Sequence, residues 1–264
     1  MPFLKSSPPA PSFFDSSLNS EALDFVKSLE SLEEGLKGLP SPASPRPSSI
    51  PSPVPFSIGT DFYRDLGEIL DRFLPPLHKA YDRYVAKVLQ SEDRRITCKS
   101  GCSACCRHFV TSVEPFEILA IHLRIRNSAH YADLLFACHG RASQFERILQ
   151  AEGEDGEAED RALYRYFVRG AACPFLGKEG TCRIYDLRPM SCRMFFSESS
   201  PRFCTGTALA SPWNRNFQVE LPEAAEEALA RCSALLAHLE LPEGLFSGVL
   251  EANAIFGQYD GKEM

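Results

Sequence analysis

No stretch of the chain approaches the ~18 consecutive apolar residues of a membrane-spanning helix, and positive charge is not in excess. The 28 Lys and Arg face 35 Asp and Glu, a formal net charge of -7. Nucleic acid is therefore not expected as the main partner, because phosphate contacts call for a basic face. The opening Met-Pro-Phe-Leu-Lys-Ser-Ser-Pro-Pro has no apolar core region of the kind a secretory signal needs, so the expected address is the cytoplasm. HExxH, GxSxG and P-loop signatures are missing, and no glycine-rich nucleotide loop follows a strand. Internal repeats are absent and strand signals are few.

Against these absences stand 10 Cys and 20 Pro in 264 residues. At roughly 100–200 residues per domain the chain holds one good-sized domain or two small ones. An apolar share of 44% is enough to build a core without cysteine staples. Thiols stay reduced in the cytoplasm, so clustered cysteines there point to metal binding or catalysis before disulfides.

The chain divides at about residue 57. Residues 1–57 read as a Pro- and Ser-rich, largely disordered arm, since such composition buries too little apolar surface to offset its ordering entropy. Within the arm, Leu23, Val26, Leu29, Leu32 and Leu36 keep helical spacing and predict one short helix. The arm is also the expected site of any protein partner. Residues 58–264 read as a mainly α domain. An apolar stripe runs from Phe62 through Leu66, Ile69, Leu70, Phe73 and Leu74, and resumes at Leu77, Tyr81, Tyr84, Val85 and Val88; Pro75 and Pro76 are expected to break or kink the helix between. Further helices are predicted over 114–126, 130–152, 161–169 and 223–238, with a last one around 245–256. A short hairpin is expected near Gly177–Gly180.

The cysteines fall into two groups. The first is Cys98-Lys-Ser-Gly-Cys102-Ser-Ala-Cys105-Cys106. The two-residue gap between Cys102 and Cys105 lets a tight turn aim both sulfurs at one metal. Gly101 supplies the backbone freedom such a turn uses. Adjacent Cys105 and Cys106 point different ways, so one can ligate while the other serves a second metal, packs or reacts. The second group is Cys173-Pro-Phe-Leu followed by Cys182-Arg-Ile-Tyr-Asp-Leu-Arg-Pro-Met-Ser-Cys192-Arg, with gaps too wide for a second zinc knuckle. Cys204 is an eighth candidate ligand. Cys138 and Cys232 lie within apolar helical patterns and read as core thiols. Four thiolates around a divalent ion leave a charge of about -2, which favours nearby cations. Arg188 and Arg193, flanking Pro189 and Cys192, are the candidates for that supporting role or for facing a substrate; Lys99 and Arg107 read as surface charges, and Arg183 also lies near a candidate ligand. His108 is a candidate for ligation and Glu117 for facing the site; Tyr185 reads first as core packing, and otherwise as a side chain that packs on the site or hydrogen-bonds a ligand. His122 and His139 read as ordinary helical side chains.

These two groups resemble the YkgJ-type cysteine-cluster family (CxxCxxCC, zinc- or iron-chelating) over roughly residues 95–205. The resemblance implies a bound metal, a 4Fe–4S cluster or Zn2+, in a helical domain with irregular cysteine-rich loops. It is carried by Cys98, Cys102, Cys105 and Cys106, and by Cys173, Cys182 and Cys192. A similar cysteine domain occurs in flagellin lysine N-methylases. Sulfur-only ligands fit zinc and iron–sulfur alike; the wide spacing of the second group favours a 4Fe–4S cluster. Cys98, Cys102 and Cys105 also show radical-SAM spacing, but Ala104 stands where an aromatic is usual and no strand–helix alternation follows. Three functions stay open: an accessory or redox protein, a protein-modifying enzyme of the lysine N-methylase type, and a zinc-stapled interaction or assembly factor.

Overall fold

The computed structural model describes residues 16–39, 60–205 and 213–236. The predicted helix at 245–256 and the Pro/Ser-rich stretches around the first helix lie outside these residues. Over the described residues the fold is mainly α, with one two-stranded sheet.

Helix α1 spans Ser16–Lys37 and α2 spans Thr60–Ser91. They pack face to face because each carries one apolar stripe. From α1 the stripe is Phe25, Leu29, Leu32 and Leu36; Leu23 is exposed. The Phe25 ring lies 5.0 Å from that of Tyr81. Gly35 permits the close approach, since a Cβ there would stand 2.7 Å from the Phe73 ring. The α1 side chains thus sit in the same core as those of α2 and of α7 (Glu223–Leu236), rather than against its surface.

Pro75 and Pro76 do not interrupt α2. Each lacks an N–H, which deprives the carbonyls of Asp71 and Arg72 of their helical donors. All four residues are exposed, so water can serve those carbonyls. On the opposite face Leu70, Leu74, Leu77 and Tyr81 run unbroken through the core.

Helix α3 (Pro115–Ile125) opens on a reciprocal cap between Glu114 and Glu117, with Pro in the tolerated first position. Its two sides serve two cores. Phe116, Leu119 and Ala120 join α1, α2 and α7. Ile118, Ile121 and Ile125 join α4 (Tyr131–Glu152) and α5 (Ala158–Arg169). Beyond α5 the chain turns at Gly170, whose φ of 71° suits a left-handed helix end. It then forms irregular loops, the four-residue α6 (Met190–Arg193), and β1 (Phe195–Ser197) paired antiparallel with β2 (Asn216–Gln218). That sheet was not legible in the sequence.

Candidate metal centre

Three loops converge between the two cores. In the first, the Cys102 N–H donates to Lys99 O at 2.9 Å, with Gly101 at φ 82°, and a 3-10 turn carries Cys105–Arg107. In the second, the Cys173 N–H donates to Cys106 O at 2.7 Å. Leu176 and Cys182 then form an isolated bridge, closed by Gly177 N–H to Thr181 O at 2.7 Å. This is the expected hairpin in its smallest form. Gly180, at φ 76°, lies against the first loop: a Cβ there would stand 2.9 Å from Gly101 O. In the third, a 3-10 turn at Tyr185–Leu187 leads into α6 and Cys192.

The loops enclose a cavity of about 730 Å³ whose wall includes Cys98, Cys102, Cys105, Cys106, Cys173, Cys182 and Cys192. The eighth candidate, Cys204, stands beside that wall rather than in it. Its thiol donates to Ser197 Oγ and to Asn216 Oδ1, both at 3.4 Å, and Asn216 itself lines the cavity. Cys138 and Cys232 are buried core thiols, and burial pushes each up to about 12. Every cysteine is a free thiol.

The donor set suits a soft metal. Among the described residues, however, no three His, Cys, Asp or Glu side chains come close enough to hold one metal ion as they are placed. The sulfurs stand around a space instead of converging on a point. Four residues that line the cavity each carry a buried polar atom without a hydrogen-bond partner among the described residues: His108 Nε2, Arg188 Nε, Ser191 Oγ and Asn216 Nδ2. Buried groups of this kind call for a bound partner. By donor type and by these unfilled hydrogen-bonding positions, the wall fits a thiolate-held metal group.

The thiols are not equivalent. The hydrogen bond from Cys106 lowers Cys105, against burial and with help from the Arg188 guanidinium. The same contact, with burial, raises Cys106. Burial raises Cys98, Cys173, Cys182 and Cys192. Desolvation penalises thiolates here, and cations on the wall offset part of that penalty. Arg188 lines the cavity and acts on Cys105, Cys182 and Cys192. Its guanidinium lies 4.8 Å from the ring centroid of Tyr185, which is exposed at the same wall and not packed in the core as its sequence context suggests.

Arg193 is placed otherwise. It is buried behind the loop and does not line the cavity. Its Nε donates to Arg188 O at 2.6 Å, Nη2 to Asp186 O at 3.0 Å and Tyr185 O at 3.3 Å, and Nη1 to Asp82 Oδ2 on α2 at 2.8 Å. Glu117 completes this anchorage. Its Oε1 accepts from Met190 N–H at 2.8 Å and lies 3.3 Å from His78 Nε2. Both residues hold the Cys182–Cys192 loop from outside.

His108 lies on the wall, stacked on Phe167 with centroids 3.7 Å apart, and burial lowers it to about 4. Its imidazole is neutral at neutral pH. His122 contacts the Tyr131 hydroxyl away from the cavity, and His139 is exposed. Lys99 lines the cavity but is exposed, as are Arg107, which donates to Gly170 O, and Arg183.

Sequence reasoning missed Arg141. It is buried on α4, donates to the Tyr166 hydroxyl and to His108 O at 2.8 Å, and lines the cavity beside Cys173. The signal was an arginine three residues after Cys138 on the apolar face of the predicted 130–152 helix, where a charge needs a partner. Asn216 and Ser191 left no comparable signal.

Residues 97–208 match the CxxCxxCC family model. The description of that model is "putative zinc- or iron-chelating domain". The matched segment contains all eight candidate cysteines and most of the three loops, while α1, α2 and α7 lie outside it. Comparison with curated proteins and with solved structures finds no match. Residues 97–208 are thus similar to a zinc- or iron-chelating type of domain, and they are set into a larger helical frame. No helix among the described residues is long and apolar enough to cross a membrane.

Proposed function

We infer that the CxxCxxCC domain holds iron as a 4Fe–4S cluster through cysteine thiolates and serves as an accessory or redox protein. The observation that carries this reading is the arrangement of sulfur. Seven thiols line one cavity of about 730 Å³, yet no three of them close on a single ion. A tetrahedral zinc site with bonds of ~2.3 Å needs its sulfurs about 3.8 Å apart. An iron–sulfur cluster spreads its thiolates more widely because each binds a different iron.

When bound, a 4Fe–4S cluster supplies one-electron transfer. The protein's own part is to collect the thiolates, offset their charge and limit solvent. Arg188 and Arg141 bring positive charge to the wall. Arg188 Nε and Asn216 Nδ2 are buried N–H groups on the same lining residues, without a partner among the described residues. Phe167, Phe175 and Phe195 form an apolar part of the lining, which lowers the local dielectric and shifts redox potential.

Anaerobic purification of the full chain, with an absorption spectrum and analysis of iron, sulfide and zinc, tests the proposal. Broad absorption near ~400 nm with stoichiometric iron and sulfide is the expected result. A colourless protein carrying zinc would remove the redox role and leave zinc stapling the loops as the function. A folded protein that takes up neither metal would refute the thiolate-metal reading.

A further inference from the structure

The geometry points to two metal centres rather than one, with Cys98, Cys102, Cys105 and Cys204 forming one thiol set and Cys106, Cys173, Cys182 and Cys192 the other. This deepens the thiolate-metal reading above and rests on it.

The first set is gathered at β1. Thr97 N–H and Oγ1 both donate to Ser197 O, at 2.9 and 3.0 Å, which pins Cys98 to that strand. Cys204 reaches the same residue from the other direction, its thiol donating to Ser197 Oγ at 3.4 Å. The turn closed by Cys102 N–H on Lys99 O folds Cys102 back beside Cys98. The thiols of Cys102 and Cys105 are electrostatic neighbours of both Cys98 and Cys204.

The second set is gathered on the hairpin. Cys173 N–H donates to Cys106 O at 2.7 Å, and Leu176 N–H to Cys173 O at 3.0 Å, while Leu176 bridges to Cys182. Three cysteines from two separate loops are thereby tied by consecutive backbone contacts. Cys192 lines the same cavity with both Cys173 and Cys105 as thiol neighbours; Cys105 already completes the first set, so Cys192 falls to this one.

The two sets meet at Cys105 and Cys106, which share one 3-10 turn. With about three residues per turn, consecutive side chains leave such a turn about 120° apart. One side chain can therefore serve each set, although the two thiols touch where the sets abut. Ligand number agrees with this division. Four thiolates complete a zinc or 4Fe–4S site, so one centre would leave at least three thiols of the cavity wall without a role. Cys204 joins its set by giving up its hydrogen bonds to Ser197 and Asn216, and its place beside the wall leaves little distance to cover.

The test counts metal in the anaerobically reconstituted full chain by native mass spectrometry and elemental analysis. The wild type is expected to carry two centres. Cys98→Ser/Cys204→Ser should lose about half the metal, and Cys173→Ser/Cys182→Ser the other half, each with a helical far-ultraviolet spectrum. A wild type with one centre overturns the division, as does a folded double variant that loses all its metal. If either variant fails to fold, the wild-type count alone decides: two centres support the division, and one overturns it. Absence of metal from every protein overturns the thiolate-metal reading itself, and so is distinguishable from failure of the division.

Discussion

Replacing Arg193 separates two roles for an arginine next to a candidate ligand. Arg193→Met keeps much of the side-chain volume and removes the guanidinium. Three backbone carbonyls, of Tyr185, Asp186 and Arg188, then lose a charged donor, and Asp82 loses its ion pair. The Asp82 side chain is 54% exposed, so water replaces that partner and the pair itself contributes at most ~1 kcal/mol. The carbonyl contacts matter more. Hydrogen bonds to a charged group contribute about 1.5–3 kcal/mol each, and sharing within one group makes them less than additive. A net loss of about 3–4 kcal/mol is expected for the metal-free protein. Arg193→Lys keeps the charge but has only three N–H donors, all on one nitrogen, for four acceptors that the guanidinium reaches from three nitrogens, and should recover less than half of the loss. Urea unfolding of the metal-free chain, followed by far-ultraviolet circular dichroism, measures both. A loss below ~1 kcal/mol in Arg193→Met, with a changed metal spectrum or potential, would refute anchoring and restore a direct role at the metal.

Phe25→Ala should cost about 3–5 kcal/mol in the same assay, because its ring is fully buried against Tyr81 and Tyr84; a cost below ~1 kcal/mol would mean that α1 is only loosely attached. Gly180→Ala should cost about 1–3 kcal/mol and reduce metal uptake, since it strains a residue at φ 76° and pushes the hairpin off Gly101; unchanged stability and metal content would show that the two loops need not touch. Burial, and then Arg126, lowers His122 to about 4 from 6.5, so the unfolded chain binds a proton there before the folded one does. Its contribution is complete above pH 6.5 and is lost as pH falls toward 4, with an upper bound of about 3 kcal/mol. His122→Gln should flatten that part of the stability profile, and an unchanged slope would remove His122 as its source.

Helix periodicity made most of the frame legible. The stripe of α2 and the spans of α3 and α4 are local patterns, and the structure follows them. The break allowed for at Pro75 and Pro76 does not occur, because their effect depends on which side of the helix they occupy, and only tertiary packing shows that they face water. The stripe on α1 was read through Leu23 rather than Phe25 because either fits helical spacing; the position of α2 decides between them. The gathering of distant cysteines could be anticipated from their type and grouping. The two-stranded sheet that holds Thr97 and Cys204 could not, because each strand has three residues and pairs across a long connection. Arg193 illustrates the general difficulty: its charge was visible, but the direction of its fork is set by carbonyls that only the folded loop presents.

The two-sided burial of α3 bears on how the molecule comes apart. One row of its side chains belongs to the α1–α2–α7 core and the other to the α4–α5 core. The loops that line the cavity also draw on both, since Met190 packs with the former and Cys173, Phe175 and Cys182 with the latter. Thiolate–metal bonds spanning those loops would act as a rivet between two bodies otherwise joined mainly through one helix. Without the rivet, each body can melt at its own temperature, and calorimetry should resolve two overlapping transitions. With it, the bodies are obliged to unfold together, and a single sharper transition is the expected signature of the loaded protein.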